Sequence, residues 1–444
     1  MLARNLNVIL IALTVSILCY ATAARAKKAI LVGEAINLID RFYVDPVDDA
    51  DLVEAAMTGL TSQLDEHSEF IPPRMYGAFQ DVIEQEFAGI GILVEQPDPT
   101  KPVRVITPLV GSPALAAGLL PGDEILNVDG KDVSSMVIGD VSNLLRGPVG
   151  TSVTITLGRK SDTDDQQRVD ISLSRKTIEL ESVVGDHRDA QNNWVFQLTD
   201  HPEIAYLRLT SFGEKTVREF RQVVKSLPTE CRSMIVDVRA NAGGLLNAAV
   251  DICDEFLESG RIVTIKRRGG EIDSMYDASS GMLVNSEMQI VILIDGNSAS
   301  ASEILAACLQ DHDRAKIVGS RSFGKGTVQN VLSLDYGRSA LKLTTARYYR
   351  PNGHNIHRLK DATPEDEWGV MPDEGLDVAI DDETYTKLFQ RWQKSSFPVL
   401  DGKDSAAQDL VPLDTVDPQL RRAIEAIREK PETAPDALAP KKAA

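Results

Sequence analysis

"SMIVDVRANAGGLLNAAVDICDEFL", residues 233–257, decides the fold. Its opening, "SMIVDVR", is short, apolar and rich in β-branched residues without alternation. That pattern reads as a strand covered on both faces. Its close, "LLNAAVDICDEFL", carries apolar residues at helical spacing. Between them Gly243 and Gly244 supply a turn from strand into helix. A covered strand, a Gly-rich turn and a helix form the repeating unit of an α/β sheet.

The alternation continues on both sides. "IAYLRLTSF" (204–212) reads as a strand and "TVREFRQVVKSL" (216–227) as an amphipathic helix. "IVTIKRR" (262–268), "QIVILID" (289–295), "AKIVGS" (315–320) and "ALKLTTARYY" (340–349) read as further strands in a β-α-β-α order.

Residues 86–175 differ. Short strand-like runs, "GIGILVEQ", "VRVITPLV", "DEILNVDGKDV" and "SVTITLGR", are punctuated by Gly, Pro and Asp, with helices predicted at "SPALAAG" and "IGDVSNLLRG". An Asp-Gly pair marks a hairpin turn. This is a small β-rich module. Upstream, "AILVGEAINLIDRFYV" (29–44) and "ADLVEAAMTGLTSQL" (50–64) have helical spacing, with a polar turn at Asp65–Ser68. Beyond 400 the chain turns polar, "DPQLRRAIEAIRE" (417–429) reads as a lone helix, and "KPETAPDALAPKKAA" is low-complexity.

The chain has 444 residues and a net charge of -19, which argues against nucleic acid as a partner, because phosphate binding needs a basic surface. The first residues carry Arg4, an uncharged run and "Ala24-Arg25-Ala26" ahead of Lys27 and Lys28. This fits a secretory signal peptide ending at residue 26. Left uncleaved, the same run would hold the protein at a membrane. Cys231, Cys253 and Cys308 sit in apolar contexts and read as buried free thiols. His354 and His357 lack the further ligands a metal site needs, so no metal is expected.

Chemistry concentrates in three stretches. "DGNSASASEIL" (295–305) holds Ser298, Ser300 and Ser302 before an apolar helix. Ser300 and Glu303 match a capping box, a complete structural explanation by itself. On that helix Ser300 and Ser302 lie about 160° apart, so both cannot face one pocket. Ser298, ahead of the helix, reads as a turn residue. His312 lies roughly 18 Å away along the helix and cannot be a base for Ser300. "SFGKGTVQ" (322–329) places Lys325 between two glycines, where it can press against a neighbouring backbone and lose hydration. To serve as a base its pKa must fall from about 10.4 to near 7, a differential solvation of roughly 4 kcal/mol. "DVRANAGG" (237–244) offers backbone N–H groups of the kind an oxyanion hole needs.

The β-rich module resembles a PDZ domain, through "GSPALAAGLLPGDEILNVDG" (111–130) and through Gly89, Ile90, Gly91 and Ile92 at the place of its carboxylate-binding loop. Arg146, in "LLRGPVG", reads as a solvated surface residue or a salt-bridging one. Taken together, "LDEHSEF", "DVRANAGG", "GNSASASEI", "SRSFGKGTVQ" and "TTARYYRPNGHNIH" resemble the carboxy-terminal processing, or tail-specific, serine proteases of the S41 family, over residues 30 to 395. "RANAGG" and "DEHS" depart from that family's more usual Asn-Pro-Gly-Gly and Asp-Pro-His-Ser.

The resemblance implies an α/β, crotonase-like (ClpP/crotonase) protease core with an inserted PDZ domain and N-terminal helices. The implied segments are signal peptide 1–26, helical region 27–84, PDZ domain 85–175, protease core 176–398, and C-terminal helix and tail 399–444. It implies Ser300 as nucleophile, Lys325 as general base and Gln329 as the residue orienting it. Gly243 or Gly244, with Ala301, would be the oxyanion donors. The expected substrates are exported proteins with apolar free C-termini, without metal or organic cofactor. The alternatives are a silent PDZ peptide-binding scaffold, in which Ser300 is only a cap, and acyl-CoA chemistry on a related fold, which export disfavours. The terminal helices would serve either a homo-oligomer or intramolecular packing.

Overall fold

The computed structural model describes residue 13 and residues 30–160, 166–399 and 410–429. Apart from residue 13, the expected signal peptide lies outside them, as does the low-complexity tail. Among the described residues no helix is long and apolar enough to cross a membrane. Contacts divide the chain into two units, residues 1–77 with 329–344, and residues 78–328 with 345–444.

In the larger unit, Ser233–Asp237 is the centre of a six-stranded sheet, and all five of its residues are buried. It pairs in parallel with His201–Leu209 on one side and Gln289–Ile294 on the other, and Gln289–Ile294 pairs in parallel with Lys316–Gly319. Side chains alternate between two faces along each strand. Ala205, Leu207, Met234, Val236 and Ile292 enter one core with the helices Leu246–Asp254 and Ala301–Asp311. Ile204, Tyr206, Ile235, Val291 and Leu293 enter a second core with Leu388 and Trp392 of Asp382–Ser395 and with Leu420 and Ile424 of Pro418–Arg428. The lone C-terminal helix of the sequence reading is therefore part of the sheet's covering layer. Its apolar stripe is buried inside the chain.

Arg261–Arg267 departs from the expected alternation. It is a hairpin partner of Ile272–Asp277, turning at Gly269 and Gly270, both at positive φ, and pairs antiparallel with residues 346–349. A Gly-Gly turn between two alternating runs favours a hairpin over a crossover. Cys231, Cys253 and Cys308 are buried free thiols.

The β-rich module has its own core, built on Ile90, Val105, Leu119, Ile125, Val141 and Leu157. Its sheet runs Ile92–Glu95, Arg104–Pro108, Glu124–Val128, Ser152–Lys160, Gln166–Ser174, so Ile92–Glu95 is an edge strand. The expected continuous strand "GIGILVEQ" is broken at Ile90–Gly91, and Glu86–Gly89 pairs instead with Lys176–Glu179.

The smaller unit holds a helix over residues 30–42, the helix Asp49–Thr61 capped by Asp48, and the short strand Glu69–Ile71, which pairs antiparallel with residues 340–342. That strand follows directly on the polar turn Asp65–Ser68.

Candidate functional site

Parallel strands bring their C-terminal ends to one edge of a sheet, and loops leaving that edge converge. Ser233–Asp237, Gln289–Ile294 and Lys316–Gly319 are neighbours. Their following loops carry the three stretches singled out in the sequence. They are laced by backbone bonds: Ala299 N–H donates to Asn241 O at 3.0 Å and Phe323 N–H to Ser298 O at 3.0 Å.

The three serines separate cleanly. Ser298 is buried and donates to Val238 O at 2.8 Å, and Ser302 is buried and donates to Asn241 O at 2.9 Å. Both hydroxyls thus tie the DVRANAGG turn to the serine loop. Ser300 is half-buried and sits at φ 56°, ψ -112°. That is a conformation non-glycine residues rarely adopt, unlike the extended backbone of an ordinary N-cap. A strained residue of this kind is held by its surroundings.

What holds it is Glu303. The sequence assigned this residue to a capping box, and its Oε2 does accept from Ser300 N–H at 2.8 Å. The same oxygen accepts from Lys325 N–H at 2.8 Å, while Oε1 accepts from Gly324 N–H at 2.7 Å and Ser322 Oγ at 2.6 Å. Glu303 is fully buried, and burial pushes its carboxyl above the ordinary range, against the four donors that favour the charged form. The Tyr348 hydroxyl, also buried, donates to the carbonyls of Ser300, at 3.2 Å, and of Lys325. Burial, and then the Glu303 charge, keep Tyr348 protonated to far above neutrality.

The glycines are there for space. A Cβ on Gly243 would stand 2.9 Å from Ser300 Cβ and 2.9 Å from Ala301 N, and one on Gly326 2.5 Å from His357 N. Gly243 N–H is taken by Asn241 Oδ1 at 2.8 Å. Among the described residues, Gly244 N–H and Ala301 N–H, the latter in the first turn of a helix where N–H groups lack an intrahelical partner, have no acceptor.

Beneath the turn lies an ion cluster that the sequence reading missed. Arg239, 1 % exposed, donates to Asp237 at 2.9 and 2.6 Å, to Asp417 at 3.0 and 2.7 Å and to Gln419 at 2.9 Å. Tyr206 adds a bond to Asp237 at 2.7 Å. Burial would raise the Asp237 carboxyl, but the Arg239 charge overrides it and holds the group below the carboxylate range. Asp417 is the N-cap of the C-terminal helix, remote in sequence, and only the Asp-x-Arg pattern hinted that Arg239 needs such partners.

Gln329 falls in the smaller unit, where its amide donates to Thr344 Oγ1 at 3.2 Å. Thr344 in turn bonds Asp65 at 3.1 Å and, through its N–H, Ser68 Oγ at 3.0 Å. The DEHS stretch and Gln329 thus share one network. His312 is engaged with Arg261 O at 2.7 Å and Asp311 with Arg350, away from Ser300, as helix geometry required. His354 pairs with Glu367 at 2.9 Å.

In the module, Gly91 has φ 73°, and a Cβ there would stand 2.4 Å from Ser112 Cβ. The carbonyls of Ile90 and Gly91 accept from Ala114 and Leu109 at 3.0 Å each, and no acceptor takes their own N–H groups among the described residues. Gly89 pairs with Lys176, and Ile92 opens the edge strand. Arg146 is ion-paired to Asp81 and lies 5.3 Å from the Phe87 ring, so it is not simply a solvated residue.

Comparison with known proteins agrees with this layout. Residues 203–374 match the model of peptidase family S41, and residues 104–159 that of a PDZ domain. The chain is 33% identical over 419 residues to a carboxy-terminal-processing protease of Bartonella bacilliformis, covering 90% of this chain and 88% of that one. It is 32% identical over 330 residues to the carboxy-terminal processing protease CtpA of Bacillus subtilis, covering 74% and 66%. Among solved structures, a photosystem II D1 C-terminal processing protease is 28% identical, with 79% and 92% covered and a TM-score of 0.42.

Proposed function

Because this chain belongs to the carboxy-terminal processing proteases of peptidase family S41, we propose that it is a serine endopeptidase working through a Ser300–Lys325 dyad on exported proteins, near their C-termini. The observation that carries the reading is the shared Glu303 carboxylate, which fixes the backbones of Ser300 and Lys325 to one oxygen at 2.8 Å each. Two residues tied in this way are preorganised relative to one another, and preorganisation is where much catalytic power resides.

In the proposed reaction Ser300 Oγ attacks the scissile carbonyl carbon while neutral Lys325 Nζ takes the hydroxyl proton. The carbonyl oxygen becomes an oxyanion, held by the N–H groups of Ala301 and Gly244, because Gly243 N–H is already committed to Asn241. Lys325 returns its proton to the leaving amine as the C–N bond breaks. Water then attacks the acyl-enzyme, with Lys325 again accepting a proton, and Ser300 is released. Gln329 is read as orienting the Lys325 amine. Substrate tails add to the edge strand Ile92–Glu95, with the terminal carboxylate on the N–H groups of the Gly89–Ile92 loop. The core is read as crotonase-like and the protein as exported, on the strength of its N-terminal stretch; the scheme calls for no metal or organic cofactor.

The test is cleavage of an unfolded reporter with an apolar C-terminus by protein lacking residues 1–26 and by its Ser300→Ala, Lys325→Ala and Ser302→Ala variants. Loss in the first two with Ser302→Ala active supports the dyad. Equal cleavage by all would refute it. Tail binding without cleavage by any of them would favour the scaffold.

A further inference from the structure

We propose that the cleft between the PDZ module and the central sheet is a second carboxylate-binding subsite for peptide substrates, anchored by Arg208. It rests on the protease reading but uses neither the dyad nor the Gly89–Ile92 loop. The cleft encloses about 580 Å³. Leu93 and Leu109 line it from the module, Ile178 from the strand that follows it, and Arg208, Trp392 and Phe389 from the core.

Arg208 comes from the strand His201–Leu209 and stacks on Trp392, its guanidinium carbon 3.8 Å from the ring centroid. The other cations nearby are spent: Arg188 on Glu181, Arg239 on Asp237 and Asp417. Arg208 has no ion-pair partner among the described residues, and its buried Nε–H has no acceptor. Asp237 feels its charge, yet both Asp237 oxygens are occupied by Arg239 and Tyr206. The indole N–H of Trp392, 7 % exposed, is also without an acceptor. The acidic residues of the cleft do not fill this need. Glu181 is held by Arg188 and Trp194, and Glu179 lies 3.6 Å from Lys215 Nζ.

Two buried donors without acceptors beside a cleft of mixed apolar and polar walls call for an anion from outside, and buried donors are rarely left unmatched. A guanidinium offers the forked geometry that a carboxylate fits. On a chain of net charge -19 an uncommitted cation stands out locally. The strand bearing Arg208 leads to Phe212, which bonds Gly243 and Leu245 of the turn against Ser300. Four residues of chain span at most about 14 Å. The Cα of Arg208 therefore lies within about 14 Å of Phe212, which is bonded to the oxyanion turn. Either the substrate's terminal carboxylate or an acidic side chain near its end has this chemistry.

The experiment measures binding to the otherwise intact Ser300→Ala protein, so that no peptide is cleaved, by anisotropy of three labelled apolar peptides. One has a free C-terminus, one is amidated with a single Glu near its end, and one is amidated and neutral. The free-terminus arm is also run with Gly91→Val added, to remove the PDZ loop's share. A carboxylate peptide should bind roughly tenfold more tightly than the neutral one, as a charge-assisted bond implies. Arg208→Gln should erase that advantage and leave neutral binding unchanged. Loss confined to the free-terminus arm assigns the subsite to the terminal carboxylate, and loss confined to the Glu arm to the side chain. Unchanged affinities in Arg208→Gln, or no advantage in the parent, overturn the proposal. If Arg208→Gln does not fold, a salt titration of the parent decides: an advantage that resists high salt also overturns it. Reporter cleavage by the Ser300-intact protein is measured separately, so failure of the dyad reading is distinguishable.

Discussion

Ser300 and Lys325 donate their backbone N–H groups to the same atom, Glu303 Oε2, at 2.8 Å each. One buried carboxylate thereby sets both the strained turn of the serine and the loop of the lysine. Replacing Glu303 by Gln puts an amide NH₂ among donors. Misplacement of this order costs about a hundredfold in rate, so kcat should fall by roughly that factor with KM little changed, read from steady-state cleavage of a tail-bearing reporter. Glu303 also predicts an acid limb. Its carboxyl is raised above the ordinary Glu value, so it takes up a proton at a higher pH than an exposed Glu as the pH falls, and loses acceptor capacity. Residual activity of Glu303→Gln should lack that limb.

Ser300 carries strain that glycine would not. At φ 56°, ψ -112° the cost to a side-chain-bearing residue is of order 1–3 kcal/mol. Ser300→Gly should therefore be at least as stable as the parent in denaturant unfolding while inactive. Ser302→Ala loses its bond to Asn241 O and should unfold about 1 kcal/mol more easily yet still cleave.

Asp237 predicts a pH-dependent stability. Its folded carboxyl lies below the unfolded value because of Arg239, so its contribution is complete above about pH 4 and is lost as the pH falls through the folded value. Asp237→Asn breaks a buried pair, which costs roughly 3–5 kcal/mol. The stability gap between parent and Asp237→Asn should be full near neutrality and narrow below about pH 4, as followed by urea denaturation across pH.

Asp417 makes the C-terminal helix a support for the turn. Asp417→Ala removes an Arg239 partner and the helix's N-cap bond to Leu420 N–H, at 3.0 Å. Loss of more than 3 kcal/mol is expected, since it leaves a buried cation underpaired. Asp417→Asn keeps the cap and should recover part of it. Thermal melting and reporter cleavage should fall together.

Gly91 tests the module alone. With φ at 73° and Ser112 Cβ 2.4 Å from any added Cβ, Gly91→Val should distort the loop and weaken tail-peptide binding. The central sheet, with separate cores, should melt as before. Peptide anisotropy paired with calorimetry checks both halves.

Much of this molecule was legible in its residues. The covered strand Ser233–Asp237 and the module's turn-punctuated strands follow from periodicity, which acts over a few residues, while helix geometry separates Ser300 from Ser302 without choosing between them. The hairpin at Arg261–Asp277 was misplaced because local alternation does not say which sheet a strand joins. Only the tertiary structure decided the rest. Glu303 reads locally as half of a capping box, and becomes the link between Ser300 and Lys325 only when parallel strands bring their loops to one edge. Arg239, Asp417 and Tyr348 likewise have no meaning at sequence distance. A buried charge or hydroxyl must find its partners wherever the fold supplies them, and here they come from the C-terminal helix and a distant strand.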